Sequence, residues 1–395
     1  MRLLQRIQLT LARNFMQSDS FCIRPFAGLE ITSQGDFAPC CDYNRRYEGY
    51  NLKTHTIDEV LASEEVKQLK QSFLRGEKPD KCHACWRNEA NGLDSQRLNS
   101  NRDYRYILND IKSAEYSKIQ ALDLKMGITC NQMCVICDYG SSSMLKDESE
   151  AIFGGVKHIQ DWTRDESCWD KLNDHMEHIT RIDVYGGEPW LLKNHWKMID
   201  RLIESGKSQD IHINYATNGS ILDEKILERL QKFRKTSVLF SADGIQSAFE
   251  YNRYPGKWNV FEENLNTMRQ FQNEIEFFAI AYTVSIYSVF NLRKSLEYYT
   301  DLGVKTWINP VNQLWYDPKS LPQKLKQLAL EDLNKITDPL IHGGGVDGVI
   351  NNINLPRENI SHWREFKRIT RMRDEMRNHH IGDFIPELKS YADEN

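Results

Sequence analysis

The stretch CNQMCVICDYG, residues 130–140, decides how this chain is read. Cys130, Cys134 and Cys137 stand at C-x3-C-x2-C spacing, with no fourth cysteine close by. That spacing lets three thiolates converge on one small metal centre and leaves one corner without a protein ligand. A structural metal site is closed by its protein ligands, whereas a catalytic one keeps a position open. The plain alternative is a zinc knuckle that borrows a distant fourth ligand such as Cys168. The run just ahead, IQALDLKMG at 119–127, reads as a strand, so the cysteines fall on the loop that follows it.

Five more short alternating or apolar runs follow: ITRIDVYGG, IHINYATNG, TSVLFSADG, IEFFAIAYTVSI and VKTWINPV. Between them lie amphipathic stretches at helical spacing. Ile226, Leu227, Leu230 and Phe233 share one face, as do Trp258, Phe261, Leu265 and Met268. Strands alternating with helices predict right-handed crossovers and a parallel sheet. Six units are too few for a closed eight-stranded barrel. The expected fold class is therefore α/β, a partial (β/α)6 TIM-type barrel over residues 111–315. Several runs end in polar or glycine-rich residues, and the carboxyl ends of parallel strands form the active-site mouth in such folds.

With these motifs in order, residues 115–315 resemble the radical SAM superfamily, whose signature is C-x3-C-x2-C after the first strand. The resemblance implies that Cys130, Cys134 and Cys137 bind a 4Fe–4S cluster and that S-adenosylmethionine chelates the fourth iron. An electron from the reduced cluster then cleaves the sulfonium, and the resulting 5′-deoxyadenosyl radical abstracts hydrogen from a substrate. YGGEP is similar to the family motif after strand two, where the backbone of Gly186, Gly187 and Glu188 would bind the methionyl ammonium. TNG (217–219), with Asn218, and SADG (241–244), with Ser241 and Asp243, resemble positions lining the ribose and the methionine carboxylate. Arg253 matches an arginine that pairs with that carboxylate, a contact suited to a guanidinium fork. Ser285 would face the ribose, and NPV (309–311) lies where adenine packs. The family often has an aromatic before the third cysteine; here Ile136 would pack on adenine instead.

Five cysteines precede the barrel, at 22, 40, 41, 82 and 85. Their order resembles the SPASM and twitch domains, auxiliary modules that hold a second 4Fe–4S cluster by cysteines around a β-hairpin and a C-x2-C after a helix. The implied ligands are Cys22, Cys40, Cys82 and Cys85. Cys41 either replaces Cys40 or is a buried small apolar residue. Such modules normally follow the barrel, whereas this one precedes it. A four-cysteine zinc site is the alternative. The module is expected over 1–110, with one helix opening at the capping box TIDE (56–59) and a second carrying Val66, Leu69 and Phe73.

The rest of the chain narrows the function less. Lys and Arg total 51 against 56 Asp and Glu, a formal charge of −5, so no basic excess signals a nucleic acid. No run approaches the length needed to span a bilayer. The opening MRLLQRIQLTLARNF lacks an unbroken apolar centre and reads as a short surface helix. The chain is expected to be cytoplasmic, where clustered cysteines point to metal and not to disulfides. Cys168 reads as a buried thiol, and His379 and His380 as surface. Residues 316–395 are expected to form a helical carboxy-terminal extension, with the basic stretch HWREFKRITRMRDEMRNHH (362–380) as a solvated face.

The expected protein is a radical SAM enzyme with two 4Fe–4S clusters and S-adenosylmethionine. Peptide modification is the preferred reading, with a small-molecule dehydrogenase acting on a sugar or nucleotide, or a non-catalytic zinc-stapled binding protein, as alternatives. A reducing partner such as flavodoxin or ferredoxin is implied.

Overall fold

The computed structural model describes residues 19–90, 94–156, 159–336, 341–343, 345–356 and 360–392. The surface helix expected at the amino terminus lies outside these residues. Two compact units emerge from the packing. The first comprises residues 1–127, 159–185 and 193–213, and the second 128–158, 186–192 and 214–395.

In the first unit, β1 (Gly28–Ile31) and β2 (Phe37–Ala38) form an antiparallel hairpin. β1 also pairs in parallel with β3 (Ala121–Lys125), which pairs in parallel with β4 (Arg181–Tyr185). The hairpin of the cysteine-rich segment thus shares a sheet with the first strand of the expected barrel. The sequence hid this, since GLEI is too short and mixed to read as a strand. Burial explains the register: Leu29 and Ile31 oppose Leu122 and Leu124, all at 1% exposure or less. β1 and β3 also bury Glu30 and Asp123, and Asp123 is matched by the buried Arg24. The helices read from the sequence form as α1 (Ile57–Leu61) and α2 (Glu64–Leu74), with the Thr56 and Glu59 capping box closed in both directions. Val66, Leu69 and Phe73 line the buried face of α2. The short α3 (His83–Ala90) starts just after Cys82 and carries Cys85 of the C-x2-C pair.

β5 (His212–Thr217) has its first two residues in the first unit and the rest in the second. In the second unit β6 (Lys235–Ser241), β7 (Phe277–Val284), β8 (Lys305–Pro310) and β9 (Ile341–Gly343) run parallel in that order. Helices alternate with them, as α/β patterning requires. β3 to β8 are the six strand runs of the expected (β/α)6 arrangement, and the fold class is α/β with mostly parallel strands. The core of the second unit centres on Phe240, whose ring lies 5.2 to 6.1 Å from those of Phe278, Phe261 and Trp190. Gly219 sits at φ +66°, and a Cβ there would come within 2.9 Å of Phe240, so only glycine fits this turn.

The second unit also contains α4 (Lys146–Phe153), α5 (Glu224–Leu230), α6 (Trp258–Phe271) and α7 (Leu292–Asp301). Ile226 and Leu230 on α5, and Phe261, Leu265 and Met268 on α6, are buried as the periodicity predicts. Apart from β9, the described carboxy-terminal residues are mostly helical, dominated by α8 (Ile360–Arg377). Its basic face is not simply solvated, because Arg373 and Arg377 are buried along with Trp363, Phe366 and Ile369. No helix among the described residues is long and apolar enough to cross a membrane.

Candidate active site

The three-cysteine loop belongs to the second unit, and backbone hydrogen bonds fix its path. The N–H of Met133 donates to the carbonyl of Tyr254 at 2.5 Å and that of Val135 to the carbonyl of Asn252 at 3.0 Å. Cys137 N–H closes a turn onto the carbonyl of Cys134 at 3.0 Å. Cys134 is buried, while Cys130 and Cys137 are partly accessible.

Side chains expected from separate motifs meet this loop. Arg253 places Nη1 3.7 Å from Cys134 Sγ and Nη2 2.7 Å from Asp243 Oδ2. Asp243 Oδ1 in turn accepts the N–H of Thr283 on β7 at 2.8 Å, so Asp243 aims the arginine. Asn218 reaches 4.0 Å from Cys130 Sγ and donates to Asn131 Oδ1 at 2.8 Å, and Asn131 donates to Ser220 Oγ at 2.9 Å. Glu188 is fully buried and ties its own turn to two other motifs. Its backbone N–H donates to the carbonyl of Thr129 at 2.8 Å, while its carboxylate accepts Thr217 Oγ1 at 2.8 Å and Asn218 N–H at 2.7 Å. Gly186 and Gly187 precede it at φ +77° and +54°, a double left-handed turn that needs glycine.

Ser285 is completely buried, with its hydroxyl 3.3 Å from Ser288 Oγ. Ser241 ends β6 half-buried. Ile136 is held through its carbonyl, which accepts Gln313 Nε2 at 3.2 Å just beyond the NPV segment. Asn131 and Gln313 escaped the sequence reading because a single amide, whether at a variable position of the motif or beyond it, carries no signal.

Of the three thiols only Cys134 is drawn toward the thiolate, while Cys130 and Cys137 are pushed up. A hydrogen bond from Cys137, aided by Arg253, draws Cys134 down to about 7 against the opposing effect of burial. Burial pushes Cys130 up to about 11. Burial likewise lifts Glu188 to about 6, against its hydrogen bonds from Asn218, Thr217 and Trp190.

In the first unit, Cys22, Cys40, Cys82 and Cys85 line one small cavity with Arg24, Asp42, Tyr43, Phe73, Trp86, Gln96 and Arg97. Cys40 is buried there and Cys41 is exposed. Two cysteines flank the hairpin and two follow α2, the order expected for an auxiliary module. Burial raises Cys22 and Cys82 to about 12 and lifts Cys40 and Cys85 as well. Such thiols ionise at neutral pH only when a bound cation compensates. Among the described residues no three His, Cys, Asp or Glu side chains gather tightly enough for a single metal ion. Cys168 is fully buried in the helix Glu166–Asp174, as expected of a structural thiol.

Residues 124–287 match the family model of the radical SAM superfamily, and residues 22–86 match that of an iron–sulfur cluster-binding domain, SPASM. The chain carries a radical SAM domain and a SPASM domain. The SPASM match runs from Cys22 to one residue past Cys85, so both cysteine groups fall inside recognised cluster-binding segments. A radical SAM domain with a SPASM domain implies 4Fe–4S clusters and S-adenosylmethionine, which the three-cysteine loop and the four-cysteine cavity fit. Among curated proteins the chain is similar to the radical SAM cyclopropyl synthase TigE of Paramaledivibacter caminithermalis, 26% identical over 257 residues, 58% of this chain and 52% of that protein. The chain thus spans about half the length of that relative. Among solved structures it is similar to native anSMEcpe with bound AdoMet, at 18% identity, 54% of this chain, 59% of that chain and a TM-score of 0.37. It is also similar to SuiB of Streptococcus suis, at 12% identity, 80% and 71% coverage and a TM-score of 0.39.

Proposed function

We propose that this chain is a radical SAM enzyme that cleaves S-adenosylmethionine reductively and abstracts a hydrogen atom from a peptide. The observation that carries the reading is the convergence of Arg253, Asn218 and the Glu188-anchored turn on a loop with three thiols and no fourth. A 4Fe–4S cluster with S-adenosylmethionine supplies one-electron cleavage of the sulfonium and a 5′-deoxyadenosyl radical.

The chain's own residues supply position and charge. Cys130, Cys134 and Cys137 would hold the cluster. Arg253, steered by Asp243, offers a cation to the methionyl carboxylate. Gly186 and Gly187 allow close backbone approach, and Glu188 locks that turn to the TNG segment. Cys22, Cys40, Cys82 and Cys85 would hold the auxiliary cluster, whose four thiolates leave no open iron, so its role is to take an electron from the substrate radical. We assign the auxiliary region to 1–110, the barrel to 111–315 and the helical extension to 316–395, with a flavodoxin- or ferredoxin-type reductant as partner. The pairing of a radical SAM domain with a SPASM domain is what favours a peptide.

The test is an anaerobic assay of the reconstituted chain with dithionite and S-adenosylmethionine. Release of 5′-deoxyadenosine is expected, and mass spectrometry of a supplied peptide library should show hydrogen loss or cross-linking. Turnover of small sugars or nucleotides with no peptide changed would overturn the peptide assignment. No deoxyadenosine at all would overturn the enzyme.

A further inference from the structure

The basic carboxy-terminal helix grips the cluster loop. Within the second unit, Arg373 and Arg377 lie one turn apart on α8 and share Glu148 of α4. Arg373 Nε donates to Glu148 Oε1 at 2.6 Å, and Arg377 Nε donates to Oε2 at 2.9 Å. These side chains are 3%, 3% and 1% exposed. Each arginine spends its remaining reach on the loop. Arg373 donates to the carbonyl of Val135, and Arg377 donates to the carbonyl of Met133 at 2.7 Å.

These two carbonyls flank Cys134, and the matching N–H groups are already taken by Asn252 and Tyr254. Residues 133 and 135 are therefore pinned on both sides, and the cysteine between them has a fixed direction. Arg377 also stacks 5.1 Å from the Tyr254 ring, and Arg373 lies 5.6 Å from the Tyr316 ring. The charges do not cancel. Two buried guanidinium groups share one carboxylate, leaving an excess positive charge beside Cys134.

We propose that Arg373 and Arg377, locked by Glu148, are positioning residues that orient Cys134 and raise the reduction potential of the cluster on the three-cysteine loop. This rests on the cluster assignment made above. The physical reason is that a buried cation stabilises the reduced cluster, which carries one more negative charge. Hydrogen bonding that holds a ligand's backbone also keeps the ligand from reorienting on reduction.

The experiment is a redox titration of the anaerobically reconstituted full chain, followed by electron paramagnetic resonance. The signal that changes on adding S-adenosylmethionine identifies the cluster with the open iron. Arg377→Gln should shift its potential to a more negative value at wild-type iron content. Glu148→Gln keeps both arginines and removes their shared counter-charge, so its potential should shift to a more positive value. Opposite shifts are what a purely structural triad would not produce. Arg377→Lys should fall between wild type and Arg377→Gln. Should Arg377→Gln lose its iron, the positive shift of Glu148→Gln still decides the matter. Unchanged potentials, or shifts of the same sign in both variants, would overturn the proposal. A wild-type chain with no signal that responds to S-adenosylmethionine would overturn the cluster assignment instead.

Discussion

In the four-cysteine cavity each lining arginine has its own carboxylate: Arg24 pairs with Asp123, and Arg97 pairs with Glu89 at 2.6 Å. Around the three-cysteine loop, three buried arginines share two carboxylates, Arg253 with Asp243 and the pair Arg373 and Arg377 with Glu148. In the first, each arginine is paired one to one and four thiols surround the cavity. In the second, Arg373 and Arg377 share the single carboxylate of Glu148 beside a loop with three thiols. On the proposed function, the open three-thiol site takes the electron and the cosubstrate carboxylate, and the closed four-thiol site only passes electrons on.

The contrast breaks most visibly if Arg24 is removed. Arg24→Ala strands Asp123 in the core of the first unit and should cost about 3–5 kcal/mol in stability, as breaking a buried pair does. Affinity for S-adenosylmethionine should not change in the protein that remains folded. Denaturant unfolding together with cosubstrate titration checks both, and a cost below about 1 kcal/mol would put this pair in the range of surface ion pairs.

Arg253→Ala should show the reverse balance. Loss of a charged partner should weaken S-adenosylmethionine binding by about 1.5–3 kcal/mol, roughly ten- to a hundredfold. Equilibrium binding to the reconstituted chain measures it, and unchanged affinity would remove Arg253 from the site.

Glu188 sharpens the comparison through pH. Its carboxyl rises from 4.5 to about 6 on folding, because burial disfavours the charge. The folded state therefore holds a proton that the unfolded state has released. Stability from this group is complete below pH 4.5 and is lost as pH rises through 6. A pKa difference of this size corresponds to about 2 kcal/mol. Glu188→Gln should abolish that fall, seen as a flatter stability profile between those pH values. An unchanged slope would assign the fall to other groups.

Much of this was legible in the sequence because spacing carries it. The C-x3-C-x2-C and C-x2-C groups, the strand ends and the TIDE cap are local patterns, and local patterns survive without knowledge of the fold. What stayed hidden depends on contacts between residues distant in sequence. Arg24 and Asp123 are 99 residues apart, and Arg377 and Glu148 are 229 apart. A run such as RITRMRDEMR reads as solvated because burial of a cation depends on a partner that no local window contains. GLEI likewise became a strand only because β3 offers it an edge.

The smallest effect belongs to a feature remote from chemistry. Thr56→Ala should cost about 1 kcal/mol through loss of the helix cap and leave both iron sites intact. A drop in iron content would tie α1 to the cavity more closely than its cap suggests.

The central claim is that one cysteine group starts the radical chemistry and the other does not. The most direct test compares two variants of the reconstituted chain, one with Cys130, Cys134 and Cys137 replaced by Ala and one with Cys82 and Cys85 replaced by Ala. Wild type should carry about eight irons, as two cubane clusters do, and each folded variant should lose about half of that. Release of 5′-deoxyadenosine with dithionite should vanish in the first variant and persist in the second. Deoxyadenosine that survived without the three-cysteine loop, or disappeared with only the four-cysteine site altered in a folded chain, would contradict the account.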